Sequence, residues 1–365
     1  MGFLRILLGI AVCLTHTSPI GPFSWIAGIT AVYVFFVISG FYMQMVLETR
    51  YTRKNLGDSW LRQFYLSRYL RLFPVYAIVM ILSVGYSLFI LGTSGTHVRP
   101  MDSWLAPAGD IKDAFYRAFV LLSNATMLGL NVPKVSDLAI GPSWSLGVEI
   151  SFYLLAPFLL SKSTRFLVAA AAISVLLKLI PFNNHAPFFS GIDCFLLGAL
   201  AFRWKNILTI RSEISWPDQT IVFAVVFALV AFALPHAETP YIPNTHLYLD
   251  TLIYPIIFAI LIPSIFAATR HNDMDRRIGE LSYPFYLLHA IVIVVLSGVD
   301  TGFLRLNGET LAAGTTLVTL ILAFLLTAVE NRWIEPYRAR LSTPKGSPKA
   351  KRSIAAVTEP TDLVT

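Results

Sequence analysis

Charge is what this chain has least of: only 13% of its 365 residues are Asp, Glu, Lys or Arg. That is about half the share usual in a soluble domain. A soluble fold of this length needs far more polar surface, so the bulk solvent for this chain must be lipid. Cysteine is scarce too: Cys13 and Cys194 each lie in an apolar run and read as small buried hydrophobes. Two such thiols exclude a disulfide framework and a metal site. No residue cluster has metal-ligand spacing. Internal repeats and low-complexity core segments are missing as well. Position 6 behind Gly2 is Ile6, not Ser or Thr, which excludes N-myristoylation. Arg5 and the apolar run to Leu14 have the outline of a signal peptide, but no small-x-small cleavage site follows. The segment reads as a retained helix.

What the chain has in quantity is hydrophobicity, with 56% apolar residues and a mean hydropathy of +0.66. A spanning helix needs about 20 apolar residues. Apolar runs fall near 3–20, 25–47, 72–92, 143–160, 166–181, 188–202, 219–234, 248–268, 282–299 and 311–329. The expected fold is therefore an all-α polytopic membrane protein of about ten transmembrane helices. One membrane domain over 1–340 is followed by a basic, disordered cytoplasmic tail over 341–365.

The net charge of +7 does not point to nucleic acid, because the basic residues sit in short gaps between apolar runs. Arg50, Arg53, Lys54, Arg62, Arg68 and Arg71 follow the second run. Placing that gap in the cytoplasm puts both termini there. The gaps near 182–187 and 235–247 hold no Lys or Arg, and the gap near 300–309 holds only Arg305, as outside loops should. The alternation works only if the further run at 115–130 does not cross. That run, with Arg117, Ser123 and Asn124, is expected to be re-entrant or interfacial and buried against protein.

Ionisable residues inside apolar runs are few: Arg5, His16, Glu149, Lys178, Asp193 and His289. Such residues are costly in lipid and mark function by default; hydrogen-bonding between helices is the plainer alternative for either histidine. Arg5 and His16 stand eleven residues apart, about three helical turns and roughly 16 Å along one face. One helix thus offers a cation near the cytoplasmic rim and a titratable base past the middle of the bilayer. Arg5 alone would also pass as an ordinary positive-inside anchor. Arg68 and Arg71 are three apart and share a helix face, where paired guanidiniums suit phosphate; lipid headgroups would serve as well.

Six segments in order resemble the membrane acyltransferase-3 family, which moves acyl groups onto cell-surface sugars. They are Arg5 with His16; Phe35-Phe36-Val37-Ile38-Ser39-Gly40-Phe41; Arg68-Tyr69-Leu70-Arg71-Leu72-Phe73-Pro74; Ser143-Trp144-Ser145-Leu146 with Glu149, Phe152, Tyr153 and Pro157; Leu281-Ser282-Tyr283-Pro284-Phe285-Tyr286-Leu287-Leu288-His289; and Val329-Glu330 with Pro336. The resemblance spans about 1–340. It implies a bacterial O-acyltransferase of the cytoplasmic (inner) membrane, like the members without an appended hydrolase-like domain. Acyl-CoA, with acetyl as the acyl group, would be the donor and a carbohydrate or lipid-linked glycan the acceptor, with no permanently bound cofactor.

On this reading Arg68 and Arg71 hold the CoA phosphates and the pantetheine arm threads past Arg5. His16 meets the thioester and the acceptor hydroxyl, as general base or as acyl carrier; both remain open. Glu149 is expected to orient the imidazole or the sugar, with pairing to a buried cation as the plainer alternative. Ser39, Trp144, Ser145 and Tyr283 are expected in the cavity wall, and His289 either there or in helix packing. Two short motifs are decoys: Gly57-Asp58-Ser59 lies in a basic loop, and His97 with Asp102 lies in an expected outer loop. A transporter for a sugar or lipid-linked intermediate is the rival class, although no paired interrupted helices are visible. A non-catalytic membrane scaffold is the third.

Overall fold

The computed structural model describes residues 1–95, 100, 104–105, 109–179, 191–209, 216–233, 239–242, 247–298 and 305–341. The expected loop at 182–187, the tail beyond 341, and His97 and Asp102 lie outside the described residues, as do parts of the expected loops at 235–247 and 300–309.

The helices are α1 (Gly2–Thr15), α2 (Gly28–Thr49), α3 (Trp60–Ser94), α4 (Ile111–Thr126), α5 (Trp144–Leu159), α6 (Thr164–Leu179), α7 (Ile192–Arg203), α8 (Trp216–Ala231), α9 (Asp250–Thr269), α10 (Asp273–Ser297), α11 (Gly308–Trp333) and α12 (Glu335–Leu341). Single helical turns and one two-residue antiparallel ladder, Tyr241–Ile242 with Leu247–Tyr248, complete the regular structure among the described residues.

Each of the ten expected apolar runs falls on a helix. Five helices, α2, α3, α9, α10 and α11, are long and apolar enough to cross a membrane. The other five are shorter. A helix of α1's 14 residues reaches about 21 Å, less than the roughly 30 Å hydrocarbon core. Two boundaries differ from expectation. Helix α1 stops at Thr15 instead of 20, where Thr17 and Pro19 follow; the Thr15 and Thr17 hydroxyls turn back on helix carbonyls, Ala11 at 3.0 Å and Cys13 at 3.2 Å. Helix α3 starts at Trp60, so Arg62, Arg68 and Arg71 lie within it, not ahead of it.

The run at 115–130 forms α4. Asp110 caps it, accepting from the Asp113 amide at 2.8 Å, and Met127 closes it with a φ of 63°. Its few buried residues include Asn124, whose side chain takes the Ala139 amide at 2.8 Å, while its carbonyl takes the Tyr76 hydroxyl at 2.9 Å. Phe115, Leu121 and Leu122 on the same helix are exposed.

Close backbone approach sets the centre of the bundle. A side chain at Gly40 would meet the Phe195 carbonyl at 1.9 Å, and one at Gly198 the Val37 carbonyl at 1.9 Å. Small residues let α2 and α7 touch without a gap, the usual device where lipid gives no hydrophobic drive between helices. On the other side α1 is held to α10: the Gly2 and Phe3 amides donate to the Asp275 carboxylate at 2.7 and 2.8 Å. A carboxylate there satisfies amides that a helix start leaves open and complements its dipole. Lys178 and Asp193, expected as functional candidates, form a buried ion pair at 2.7 Å between α6 and α7. Outward, α11 exposes Leu317, Ile321, Phe324 and Leu325, and α3 exposes Ile81, Leu88 and Phe89. An apolar exterior over a packed interior is what a lipid solvent requires.

Candidate active site

Helices α1, α2, α3, α5 and α10 enclose two neighbouring cavities. The smaller, about 90 Å³, is lined by Arg5, Ser39, Tyr42, Arg71, Ser145, Glu149, Tyr153 and Tyr283 among others. The larger, about 1000 Å³, is lined by Thr15, His16, Trp144, Tyr286 and His289, with aliphatic side chains such as Val12, Ile29, Val79 and Ile291. They are called the arginine cavity and the histidine cavity below. Tyr286 and Val32 line both.

Helical spacing explains who meets whom. Arg5 and His16, three turns apart on α1, open into the two cavities in succession. Ser145, Glu149 and Tyr153 recur every four residues, one stripe along α5. Tyr283, Tyr286 and His289 recur every three along α10.

In the arginine cavity Glu149 Oε1 accepts from the Ser39 hydroxyl at 2.7 Å and from the Tyr153 hydroxyl; Ser39 Oγ and the Tyr153 hydroxyl are 3.1 Å apart. Tyr283 donates to the Leu72 carbonyl at 2.7 Å. Two guanidiniums, Arg5 and Arg71, face one carboxylate, Glu149, so the lining carries net positive charge. The wall toward the histidine cavity is tied as well: Ser145 Oγ lies 2.8 Å from the Tyr286 hydroxyl, which donates to the Pro142 carbonyl at 3.0 Å.

In the histidine cavity His16 caps the end of α1. Its ring is exposed and lies 5.6 Å, centroid to centroid, from that of His289, the planes only 21° apart. His289 is 0% exposed. Its Nδ1 lies 2.6 Å from the Tyr286 carbonyl oxygen. A carbonyl only accepts, so Nδ1 carries the proton and Nε2 keeps its lone pair. That Nε2 is buried without a hydrogen-bond partner. An orphaned buried acceptor beside a second imidazole, on a large cavity, is a place for a hydroxyl.

The structure thus gathers Arg5, Ser39, Arg71, Ser145, Glu149 and Tyr283 in one cavity, and His16, Trp144 and His289 in the next. Glu149 bonds hydroxyls in the arginine cavity and not the His16 imidazole, because the stripe on α5 carries it away from the end of α1. Arg68 stands apart. It lines a third cavity of about 650 Å³ with Arg62, Tyr65 and Tyr69, on the other side of Tyr153 from Arg71. Three residues along a helix leave the two arginines only about 60° apart on one face, so it is Tyr153, which lines both cavities, and not helical phase that stands between the spaces they line. Its guanidinium lies over the Tyr51 ring at 5.7 Å, and its Nε has no partner. Tyr42, Tyr153 and Tyr286 were not singled out from sequence as site residues; the four-residue spacing from Ser145 and the three-residue spacing to His289 would have pointed to the latter two. Among the described residues, no three His, Cys, Asp or Glu side chains gather to hold a metal ion.

The helices thus place an imidazole pair on one side of a tyrosine and an arginine pair on the other. The family model described as "Acyltransferase domain" matches residues 1–329, and the chain belongs to that family. Among its relatives is the O-acetyltransferase OatA of Staphylococcus aureus, 24% identical over 91% of this chain and 57% of the relative. Peptidoglycan O-acetyltransferase OatA of Listeria monocytogenes is 26% identical over 81% of this chain and 49% of the relative. Nodulation protein 10 of Rhizobium leguminosarum is 26% identical over 73% of this chain and 72% of the relative. The chain spans about half the length of the two O-acetyltransferases it matches. No solved structure matches it.

Proposed function

We propose that the protein is an integral-membrane O-acyltransferase that moves an acetyl group from acyl-CoA to a hydroxyl of a cell-envelope carbohydrate or lipid-linked glycan. One observation carries this reading: the His16–His289 pair, with a free imidazole lone pair, opens onto a large cavity that shares a wall with a small cationic one. The names of the two O-acetyltransferase relatives point the same way, and the Listeria relative suggests peptidoglycan as the acceptor to try first. The topology that goes with it has about ten spans in a bacterial cytoplasmic membrane, both termini inside and 115–130 re-entrant or interfacial.

The donor's phosphates are drawn by Arg5 and Arg71 in the arginine cavity, with Arg68 and Arg62 as a second positive wall beyond Tyr153. Charge-assisted bonds from arginine forks fit phosphate oxygens. Glu149 keeps Ser39 and Tyr153 in place and limits the excess positive charge. In the histidine cavity, His16 takes the proton of the acceptor hydroxyl as its oxygen attacks the thioester carbonyl. The new C–O bond forms, the C–S bond breaks, and the proton passes from His16 to the departing thiolate. His289 accepts a hydrogen bond at Nε2 from the acceptor or from His16 and so orients the pair. His16 as a transient acyl carrier would use the same geometry.

The test is donor consumption. Membranes holding the protein should release CoA from acetyl-CoA and esterify envelope glycan, and His16→Ala membranes with equal protein should do neither. If the intact protein neither binds nor consumes acyl-CoA with envelope glycan supplied, the enzyme reading fails and a transporter, which needs no acyl donor, takes its place.

A further inference from the structure

The arginine and histidine cavities have only Tyr286 and Val32 in common. Tyr286 is no loose side chain. It is 8% exposed, its hydroxyl is fixed by Ser145 at 2.8 Å and the Pro142 carbonyl at 3.0 Å, and its ring stands edge-on to Phe35 at 6.2 Å. Its own carbonyl holds His289. A bulky ring anchored at both ends forms the partition between the two spaces.

Acyl transfer breaks a C–S bond and forms a C–O bond at one carbonyl carbon. Sulfur must reach that carbon from the donor's cavity and the hydroxyl oxygen from the acceptor's. The shared wall is where both can. The third substituent, the acyl tail, then has only the space that the wall leaves. On the arginine side the cavity is about 90 Å³, roughly a tenth of the histidine cavity's 1000 Å³, and donor atoms must share it. On the proposed reading the acceptor fills the histidine side.

We infer that Tyr286, together with Val32, sets the length of the acyl group transferred, admitting acetyl and excluding longer chains. This specificity role rests on the acyl-transfer reading above. Tyr286 acts as a wall, so its bulk matters and its hydroxyl serves to hold it.

The experiment compares CoA release from acetyl-, butanoyl- and hexanoyl-CoA by membranes carrying the full chain and supplied with envelope glycan as acceptor, with membranes lacking the chain as the blank. Wild type should favour acetyl over hexanoyl by at least about tenfold, the scale that added methylenes set in a closed pocket. Tyr286→Ala and, independently, Val32→Ala should shrink that preference by about tenfold or more, while Tyr286→Phe, which keeps the ring, should leave it within about threefold. Should Tyr286→Ala fail to accumulate, Val32→Ala and Tyr286→Leu decide. The inference is overturned if wild type uses hexanoyl-CoA as well as acetyl-CoA. It is equally overturned if variants that still release CoA from acetyl-CoA keep the wild-type chain-length profile. A wild type that releases CoA from none of the three overturns the acyl-CoA reading itself, and this inference with it.

Discussion

The two cavities differ about tenfold in size, roughly 1000 against 90 Å³, and more in how their polar groups are treated. In the arginine cavity the hydroxyls of Ser39, Tyr153 and Tyr283 all have partners, and two cations face one carboxylate. In the histidine cavity aliphatic walls surround an imidazole nitrogen that has none. A recognition site gains from fixed, satisfied groups, because its shape then costs nothing to assemble at binding. Proton transfer needs the reverse, an acceptor left open beside the base to hold the hydroxyl, and His289 Nε2 next to His16 is that acceptor in the proposed mechanism. On the proposed mechanism the contrast separates donor binding from proton transfer, with Tyr286 between the two cavities.

Four measurements would break or sharpen that division. The largest effect falls on the histidine side: His16→Ala should lower kcat for acyl transfer by about 10²–10⁴-fold. Equilibrium binding of acyl-CoA should be unchanged; a matching loss of donor affinity would merge the two roles. Next, Arg71→Ala and Arg5→Ala should each raise the KM for acyl-CoA by about ten- to a hundredfold, as hydrogen bonds to charged groups are worth about 1.5–3 kcal/mol. The KM for the glycan acceptor should stay put. Glu149→Ala leaves the Ser39 and Tyr153 hydroxyls without their acceptor, costing about 1–3 kcal/mol. It should lower the melting temperature in detergent and alter donor KM rather than acceptor KM. Tyr283→Phe should do least: it removes one bond to the Leu72 carbonyl, worth about 1 kcal/mol, so the melting temperature falls slightly and kcat stays within about twofold.

Much of the framework was legible beforehand because lipid imposes a one-dimensional code. Each apolar run marks a helix, since no other local structure satisfies its backbone inside lipid. The end of α1 falls short of the apolar run because the Thr15 and Thr17 hydroxyls turn back on the helix, a contact that composition does not show. Lys178 and Asp193 each put a charge in an apolar run, but they pair across α6 and α7, a contact between residues fifteen positions apart that helical phase does not reveal. Arg68 and Arg71 fit one anion on paper, but Tyr153, from a different helix, stands between the cavities they line.

Sequence by itself determined the membrane class, the ten helical runs, the family, and the phase that puts Arg5 and His16 on one face of α1, all consequences of local composition and helical period. Only the tertiary structure decided that His289 completes the pair with His16, that Glu149 serves the arginine cavity, and that Tyr286 divides the two spaces. Those facts depend on which faces of α1, α2, α5 and α10 meet, and that is fixed by close contacts such as those of Gly40 and Gly198 across α2 and α7, which no single helix carries.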